Sequence, residues 1–361
     1  MDIQQVFMFR QYFHGHPVPG EEILMKEPFR FYLFAAAVML TVPAAAVLTL
    51  PKPSRSGLIS DMPLLSQKPL QADAGYKPAD TYRVLLTERG EIAEVPVRDY
   101  LIGAVAAEMP ASYEAEALRA QAVVSHTYAE RIRLQNARCP DPALNGADFS
   151  DDSAQYQAFY TSEQMRLAYG SHYAEFYEKI AAAVDAAGDQ LLFSDGEPIV
   201  AAFHAVSAGQ TESAESVWGS ALSYLVPVKS DWDRSAPHFE EEAVRSAETV
   251  KKALTARFPK IELPAEPADW FRLTDVSESG TVRTVQCGSE TVSGQTLREL
   301  LSLRSACFTV VPRDDGFVFT TKGYGHNVGM SQYGANEMAK RGADCAGILA
   351  HYYPGAAAGT P

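Results

Sequence analysis

A run of 20 residues without a charged side chain, residues 31–50, sets the first limit on how this chain can fold. The run lies between Arg30 and Lys52, and about 20 apolar residues are enough to cross the hydrocarbon core of a bilayer. We predict a transmembrane anchor at 31–50, preceded by a cytoplasmic segment at 1–30. A cleaved signal peptide is the competing interpretation, but the 30 residues before the run are long for the basic region of such a peptide.

Residues 51–79 contain five prolines and no clear hydrophobic period, which indicates a linker between the anchor and a folded domain at 80–355. Basic residues stand on both sides of the apolar run, Lys26 and Arg30 before it and Lys52 and Arg55 after it. The positive-inside rule therefore does not orient the anchor.

Helical and strand patterns do not alternate strictly beyond the linker, which favours an α+β fold over a doubly wound sheet. Antiparallel hairpins are predicted around turn signals at 82–97, 191–206 and 310–321. Helices are predicted at 99–107, 112–135, 239–258, 331–341 and 346–352, and Asp99 and Ser112 are the expected N-caps of the first two. We expect these elements to surround a cleft, and residues 229–308 to form an inserted smaller lobe.

The net charge of −14 gives the chain no electrostatic footprint for DNA or RNA, so a nucleic-acid partner is not expected. A neutral glycan fits better, because aromatic faces and polar side chains hold sugars without cations. Four cysteines are present, and none of them forms a CxxC pair. A disulfide between Cys287 and Cys307 and a set of four free thiols are both compatible with this spacing.

Glu108 follows a helix of small residues and stands two positions before Pro110, which ends that helix. A carboxyl group among apolar neighbours, near the negative end of a helix, is expected to have a raised pKa. A general acid at near-neutral pH needs such a pKa. An exposed surface glutamate is the alternative that composition alone favours.

Two further features carry polar side chains in unusual places. Gln121 interrupts the apolar face of the helix at 112–135, where it can orient Glu108 or a sugar hydroxyl, or make a buried structural hydrogen bond. Three glycines around His326 predict a tight loop that approaches a ligand closely. No HExxH pair supports a metal site formed by His126, His204 and His326, and no nucleophile elbow supports pairing of Ser207 or Ser331 with His326.

Three blocks of sequence together resemble the SpoIID/LytB family over roughly residues 80–355. The first is AAEMPAS at 106–112, followed by EALRAQA at 116–122 and Thr127-Tyr128. The second is FHAVS at 203–207, followed by Gly209, Thr211-Glu212, VWG at 217–219 and Tyr224-Leu225. The third is GYGHNVGMSQYGA at 323–335, followed by Ile348-Leu349 and YYPG at 352–355.

The resemblance implies a lytic transglycosylase of sporulation, which cleaves the bond between N-acetylmuramic acid and N-acetylglucosamine in glycan strands that lack stem peptides. The catalytic glutamate of the family corresponds to Glu108, acting as general acid and then as base without a cofactor. Polar and aromatic residues of the matching blocks and their surroundings are candidates to hold the sugars: Gln121, Gln157, His204, Ser207, Trp218, Lys322, Tyr324, His326, Ser331, Gln332 and Tyr333.

The chain departs from the family pattern at four places. Members often carry a Cys-Asp-Asp-x-x-His-Cys stretch that resembles a zinc site, whereas residues 150–156 read SDDSAQY here. We therefore predict no metal at this stretch. We expect Gln155 or Tyr156 to hold the stretch together by hydrogen bonding or packing, in place of a metal. His126 stands where arginine is common, and Ala208 and Asn327 replace glycines. Asn is the residue other than glycine that best tolerates a left-handed backbone.

The resemblance also implies a single-pass protein of the septal or mother-cell membrane, with its catalytic domain outside the cytoplasm. The expected partners are the glycan strands, a sporulation amidase and other membrane proteins of engulfment. A non-catalytic amidase enhancer or wall-binding module is the alternative, because the family includes such proteins.

Overall fold

The computed structural model describes residues 78–360. The predicted anchor at 31–50, the segment at 1–30 and most of the linker lie outside the described residues. Within 78–360 there is no helix of sufficient length and apolar character to cross a bilayer.

The described residues form helices and short strands in mixed order, which confirms the predicted α+β class. The helices are α1 (Val97–Glu108), α2 (Ala115–Arg138), α3 (Ser162–Tyr169), α4 (Tyr173–Ala187), α5 (Ala214–Trp218), α6 (Ala247–Arg257), α7 (Gly294–Leu300), α8 (Gln332–Lys340) and α9 (Cys345–Tyr352). The strands are β1 (Thr81–Leu86), β2 (Glu91–Pro96), β3 (Phe149–Ser150), β4 (Leu191–Ser194), β5 (Glu197–Pro198), β6 (Phe203–His204), β7 (Glu240–Ser246), β8 (Phe271–Val276), β9 (Val282–Cys287), β10 (Glu290–Ser293), β11 (Phe308–Arg313), β12 (Gly316–Lys322), β13 (Met330–Ser331) and β14 (Ala357–Gly359).

Helix α2 is the central support of the part that carries the predicted catalytic segment. It packs against α1, α4, α8 and α9. Its residues from Ala117 to Thr127 are buried apart from Arg119, so the helix is enclosed on several sides rather than along one stripe. Buried polar groups on such a helix need partners within the protein, and Gln121 and Ser125 are two of them.

Gly103 lets the chain at 159–160 cross α1 at short range. A Cβ atom at this position would lie 2.3 Å from the carbonyl oxygen of Tyr160 and 2.5 Å from the ring of Phe159. Only glycine allows this approach without displacing the backbone.

We expect Gly103→Ala to lower the free energy of unfolding by about 2 kcal/mol, because the added methyl group overpacks this crossing. Urea denaturation of the two proteins measures the difference. Gly347→Ala is the matched control, since the methyl group there meets only a carboxylate oxygen of Asp344, at 3.2 Å. Equal losses in the two variants would contradict the close approach at Gly103.

Residues 239–322 contain two three-stranded sheets, β7–β12–β11 and β8–β9–β10, together with α6 and α7. One cluster of buried side chains lies within this stretch, and it includes Trp270, Val285, Phe317 and Phe319. The lobe expected at 229–308 overlaps this stretch, and its status as an insertion stays a prediction.

The predicted helix at 239–258 is wrong in its first half. Glu240–Ser246 is strand β7, which pairs antiparallel with β12 so that Val244 lies opposite Val318. Exposure alternates along β7 with the period of a strand, and α6 begins only after Ser246, whose hydroxyl caps it by accepting from the Thr249 amide.

Three further local predictions need correction. Asp99 lies in the first turn of α1, because that helix already begins at Val97, and Glu114 rather than Ser112 precedes α2. The second hairpin is shorter than predicted, since it consists of β4 and the two-residue β5, whereas β6 pairs in parallel with the distant β13. On its other side β4 pairs antiparallel with β14. Of the two alternatives that the cysteine spacing left open, the structure has the second, since all four cysteines are free thiols.

Candidate active site

Glu108 is the last residue of α1 and lies half-buried beside the chain at 157–160. Met109, which precedes Pro110, leaves the helix with φ −131° and ψ 137°, as expected for a residue before proline. The Ala158 amide donates a 2.6 Å hydrogen bond to Oε1 of Glu108. Burial raises the pKa of Glu108 to about 7, and the Ala158 hydrogen bond opposes this shift.

Two predicted glutamines meet behind Glu108. Nε2 of Gln332 donates to the main-chain oxygen of Glu108 at 2.9 Å and to Oε1 of Gln121 at 3.3 Å. Gln121 in turn donates to Oγ of Ser125 at 3.2 Å. Both amides are buried and have protein partners, so the geometry supports the structural interpretation of Gln121, in which it helps to fix the end of α1.

Gln157 extends the same buried network. Its Nε2 donates to the Tyr100 hydroxyl at 2.8 Å and to the main-chain oxygen of Ser125 at 3.2 Å. Gln157 therefore holds the segment that presents the Ala158 amide to Glu108.

Three tyrosines near Glu108 were not predicted as site residues. Burial raises the pKa of each phenol, and the charge of Glu108 adds to the shift for Tyr100, Tyr128 and Tyr160. The aromatic rings lower the polarity around the carboxyl group of Glu108, which favours its uncharged, protonated form. The sequence contains a signal for Tyr128 alone, because this residue lies on the same face of α2 as Gln121.

The glycine-rich loop brings two predicted histidines together. The ring centroids of His204 and His326 are 5.6 Å apart, and those of Trp218 and His326 are 5.4 Å apart. Nδ1 of His204 lies 3.1 Å from the main-chain oxygen of Val328, so it carries the proton, whereas Nδ1 of His326 accepts from the Val328 amide at 3.2 Å. Burial lowers the pKa of His204 to about 4 and that of His326 to about 3, so both rings are neutral near pH 7.

Asn327 has the left-handed backbone expected for a residue that replaces glycine, with φ 69°. Its Oδ1 accepts from the Ala208 amide at 3.2 Å, and its Nδ2 donates to the main-chain oxygen of Gln210 at 3.0 Å. The side chain therefore ties the glycine-rich loop to the segment after β6.

Asp233 is a buried carboxyl group that sequence reasoning missed. The Ser207 amide donates to its Oδ2 at 3.0 Å, and the side chains of Ser207, Ser331 and Ser230 also stabilise its charged form. Burial raises the pKa of Asp233 to about 6, although these hydrogen bonds act to lower it. Ser331 is the N-cap of α8 and directly precedes Gln332, so Asp233 fixes the helix end that reaches Glu108.

Both candidate serines have partners within the protein. Ser207 and Ser331 interact with the carboxyl group of Asp233, and each hydroxyl accepts from a backbone amide, Gly209 at 3.1 Å and Gly334 at 3.1 Å. These contacts are those of structural side chains rather than of a nucleophile beside His326.

The remaining candidates lie along the loop and its neighbours. Lys322 is exposed, with Nζ 3.4 Å from Oε2 of Glu240. The Tyr324 ring lies under the guanidinium group of Arg304, at 4.5 Å from its centroid. The Tyr333 hydroxyl donates to the main-chain oxygen of Ser235 at 3.2 Å. No hydrogen bond among the described residues joins any of these three side chains to Glu108.

The stretch at 150–156 contains a turn that the side chain of Asp152 stabilises. Its carboxylate accepts from the Ala154 amide at 3.0 Å and from Nε2 of Gln155 at 3.1 Å. Gln155 thus stabilises the turn by a hydrogen bond. A hydrogen bond from this residue is one of the two contacts that we expect in place of the zinc-like ligands of the family. Within residues 78–360, no group of three or more His, Cys, Asp or Glu side chains could hold a metal ion.

Comparison with known proteins gives consistent matches. The family model described as SpoIID, stage II sporulation protein, matches residues 87–193. Stage II sporulation protein D of Bacillus subtilis (strain 168) is 32% identical over 323 residues, which cover 88% of this chain and 92% of that protein. The protein of the same name from Bacillus amyloliquefaciens is 34% identical over 272 residues, or 75% of this chain and 76% of the relative.

A more distant relative is the amidase enhancer of Bacillus subtilis (strain 168). It is 27% identical over 303 residues, which cover 71% of this chain and 39% of the enhancer. The first two relatives exceed 30% identity and match this chain over most of its length. This chain belongs to the SpoIID family of stage II sporulation proteins.

Proposed function

We propose that this protein is a peptidoglycan lytic transglycosylase of sporulation. The observation that carries the proposal is the half-buried carboxyl group of Glu108, whose pKa of about 7 leaves a large protonated fraction at neutral pH. The relatives named stage II sporulation protein D support the sporulation role.

One carboxyl group is sufficient for this reaction. Protonated Glu108 gives its proton to the glycosidic oxygen, and the bond between this oxygen and C1 of N-acetylmuramic acid breaks. The resulting carboxylate takes the proton of the C6 hydroxyl group of the same sugar while O6 bonds to C1. The products are a free 4-hydroxyl group and a 1,6-anhydro sugar, no water is consumed, and Glu108 is protonated again.

The main-chain contacts support the two roles of Glu108. The Ala158 amide stabilises the carboxylate that forms after proton transfer, and Gln332 holds the main-chain oxygen of the same residue. The neighbouring tyrosines lower the polarity around the carboxyl group, which favours its protonated form at the start of each turnover.

Localisation and partners form part of the same proposal. Glycan strands lie outside the cytoplasm, so the domain at 80–355 acts there, held at the septal or mother-cell membrane by the predicted helix at 31–50. A sporulation amidase that removes stem peptides, together with other engulfment proteins, would supply the denuded strands.

The test uses full-length protein, glycan strands freed of stem peptides, and mass spectrometry of the fragments. We expect oligosaccharides without stem peptides that end in 1,6-anhydro-N-acetylmuramic acid. Fragments with ordinary reducing ends would show that the protein is a hydrolase instead, and intact strands would exclude both reactions.

The pH dependence follows from the protonation state of Glu108. Because the acid step needs the protonated form, kcat/KM is expected to fall tenfold per pH unit well above pH 7. His204 and His326 are already neutral in this range and add no further change. Initial rates between pH 5 and pH 9 measure the profile, and a kcat/KM that rises through pH 7 would rule out an acid role.

The similarity to the amidase enhancer supports a second candidate function, that of an enhancer. An enhancer would bind wall or amidase and increase the amidase rate without cutting glycan strands. This function requires that purified protein leave the strands intact, and that replacement of Glu108 leave amidase stimulation unchanged.

A further inference from the structure

Within residues 78–360, one hydrogen bond reaches the carboxyl group of Glu108, and its donor is the Ala158 amide. A hydrogen bond to the charged form of a carboxyl group lowers its pKa, whereas burial raises it. At Glu108 burial is the larger effect, and the pKa is about 7. The position of a single peptide N–H group therefore limits how far the pKa of Glu108 lies above its ordinary value.

The segment at 157–160, which supplies this N–H group, forms neither a helix nor a strand that would fix its position. The amide of Ala158 belongs to the planar peptide group that begins at Cα of Gln157. A contact that fixes Gln157 therefore also fixes the direction of the N–H group that reaches Glu108.

The side chain of Gln157 is held between two helices. It is 5% exposed, and its Nε2 donates both protons, one to the hydroxyl group of Tyr100 on α1 at 2.8 Å and one to the main-chain oxygen of Ser125 on α2 at 3.2 Å. Tyr100 is also fully buried, so the contact on α1 lies within the core. Gln157 therefore connects the segment to the same helix that ends at Glu108.

Two further contacts hold the segment on α1. The Phe159 ring stacks on the Tyr100 ring, with centroids 5.1 Å apart and planes at 16°. The Tyr160 amide donates to the main-chain oxygen of Gly103 at 3.1 Å. Tyr100 thus contacts the segment twice, through its hydroxyl group and through its ring, and a substitution can remove the first contact without the second.

The titratable side chains that face Glu108 are phenols. Tyr100 on α1, Tyr128 on α2 and Tyr160 in the segment interact electrostatically with Glu108, and burial raises the pKa of each of them. All three are therefore uncharged between pH 5 and pH 9. From α8, the uncharged amide of Gln332 contacts the main-chain oxygen of Glu108. The Ala158 amide can therefore control the titration of Glu108 in this range without competition from a neighbouring charge.

We propose that Gln157 is a positioning residue for Glu108, which fixes the Ala158 amide against the carboxyl group and so sets the pH range in which Glu108 acts as an acid. Tyr100 assists by holding the end of the Gln157 side chain. This inference rests on the proposed function, because it gives a role to the contacts around the proposed general acid.

Gln157→Met tests the proposal, because it removes both donor contacts and keeps the length of the side chain. We expect the pKa of Glu108 to rise by about one pH unit, since the charged form loses a well-placed donor. Carbon-13 NMR of full-length protein, labelled at the glutamate carboxyl carbons, measures this titration without requiring turnover. The signal that is absent from the Glu108→Gln variant is that of Glu108.

The pH profile of cleavage is a second readout, which a general loss of structure would not reproduce. A higher pKa makes protonated Glu108 a weaker acid, so cleavage by Gln157→Met should fall about threefold at pH 6. The decline of kcat/KM above pH 7 should move to higher pH by as much as the pKa rises. A smaller fraction of folded protein would instead scale the whole profile by one factor.

A second variant and a control separate positioning from folding. Tyr100→Phe deletes the hydroxyl group that holds Gln157 and keeps the ring, so it should raise the pKa of Glu108 by a smaller amount, even if Gln157→Met proves too unstable to use. Gln295→Met makes the same exchange at a buried glutamine of α7, whose Nε2 donates to Glu299 at 3.1 Å, and should leave both readouts unchanged. A pKa of Glu108 equal to that of the parent in the folded variants would overturn the proposal.

The positioning role and the proposed function can fail separately. Anhydro products from a parent protein whose Glu108 titration ignores Gln157 and Tyr100 would remove the positioning role and leave the transglycosylase. A Glu108 pKa that depends on these two residues, in a protein that never yields anhydro products, would leave the control of the carboxyl group and remove the transglycosylase.

Discussion

Replacement of Glu108 by Gln is expected to reduce cleavage of glycan strands by about 10³-fold or more, with the fold unchanged. The amide has the shape of the carboxyl group, and its oxygen can still accept from the Ala158 amide. It can neither give a proton to the glycosidic oxygen nor take one from the C6 hydroxyl group. Both halves of the proposed reaction depend on this residue, so the loss should exceed that for a residue with a single role.

The measurement is the rate of appearance of 1,6-anhydro ends, determined by mass spectrometry at pH 6. Glu94→Gln is the matched control, because this glutamate is exposed on β2 and the same atoms are exchanged. The thermal unfolding midpoints of the two variants should agree with that of the parent. Equal activity in the Glu108 variant and the parent would exclude acid–base catalysis by this residue and favour the enhancer function.

Local sequence signals were sufficient to predict the end of α1. Pro110 fixes the extended geometry of Met109, and burial raises the pKa of Glu108 to about 7, as the first of the two interpretations of this segment expects. The hairpin of β1 and β2 was equally accessible, because alternating side chains flank a glycine turn. Each of these features depends on residues within a few positions of one another.

The contacts that complete the site could not be predicted in this way. Ala158 and Gln332 are 50 and 224 residues from Glu108 along the chain. The parallel pairing of β6 with β13 joins residues over 120 positions apart, and two-residue strands leave no periodic pattern in the sequence. At 239–246, the pairing with β12 determines a strand where the local pattern suggested a helix.

Asp233 shows the same limit most clearly. Its local sequence, DWDRS, is that of an exposed turn, and Asp231 and Arg234 beside it are indeed exposed. Asp233 is buried, because Ser207 and Ser331 reach it from two distant segments and Ser230 lies beside it on the same turn. One buried acceptor thereby joins the segment after β6 to the start of α8.

Replacement of Asp233 by Ala is therefore expected to lower the free energy of unfolding by about 3 kcal/mol. The change leaves the Ser207 amide buried without its acceptor and removes the carboxyl group with which the Ser207, Ser230 and Ser331 side chains interact. Asp233→Asn should recover part of the loss, because the amide oxygen still accepts and serine hydroxyl groups can turn to accept from the new N–H group. Urea denaturation of the three proteins at pH 7 measures these differences.

The matched control is Asp231→Asn, on the same turn, where the exposed carboxylate lies 3.5 Å from Nε of Arg234. Exposed pairs of this kind contribute little, so the free energy of unfolding should change by less than about 0.5 kcal/mol. Cleavage by the Asp233→Asn variant, at a temperature where it is folded, should also fall by about tenfold, because Ser331 sets the position of Gln332 behind Glu108. A loss of stability with unchanged kcat would confine Asp233 to folding, whereas losses of both would show that the start of α8 sets the position of the Glu108 carboxyl group.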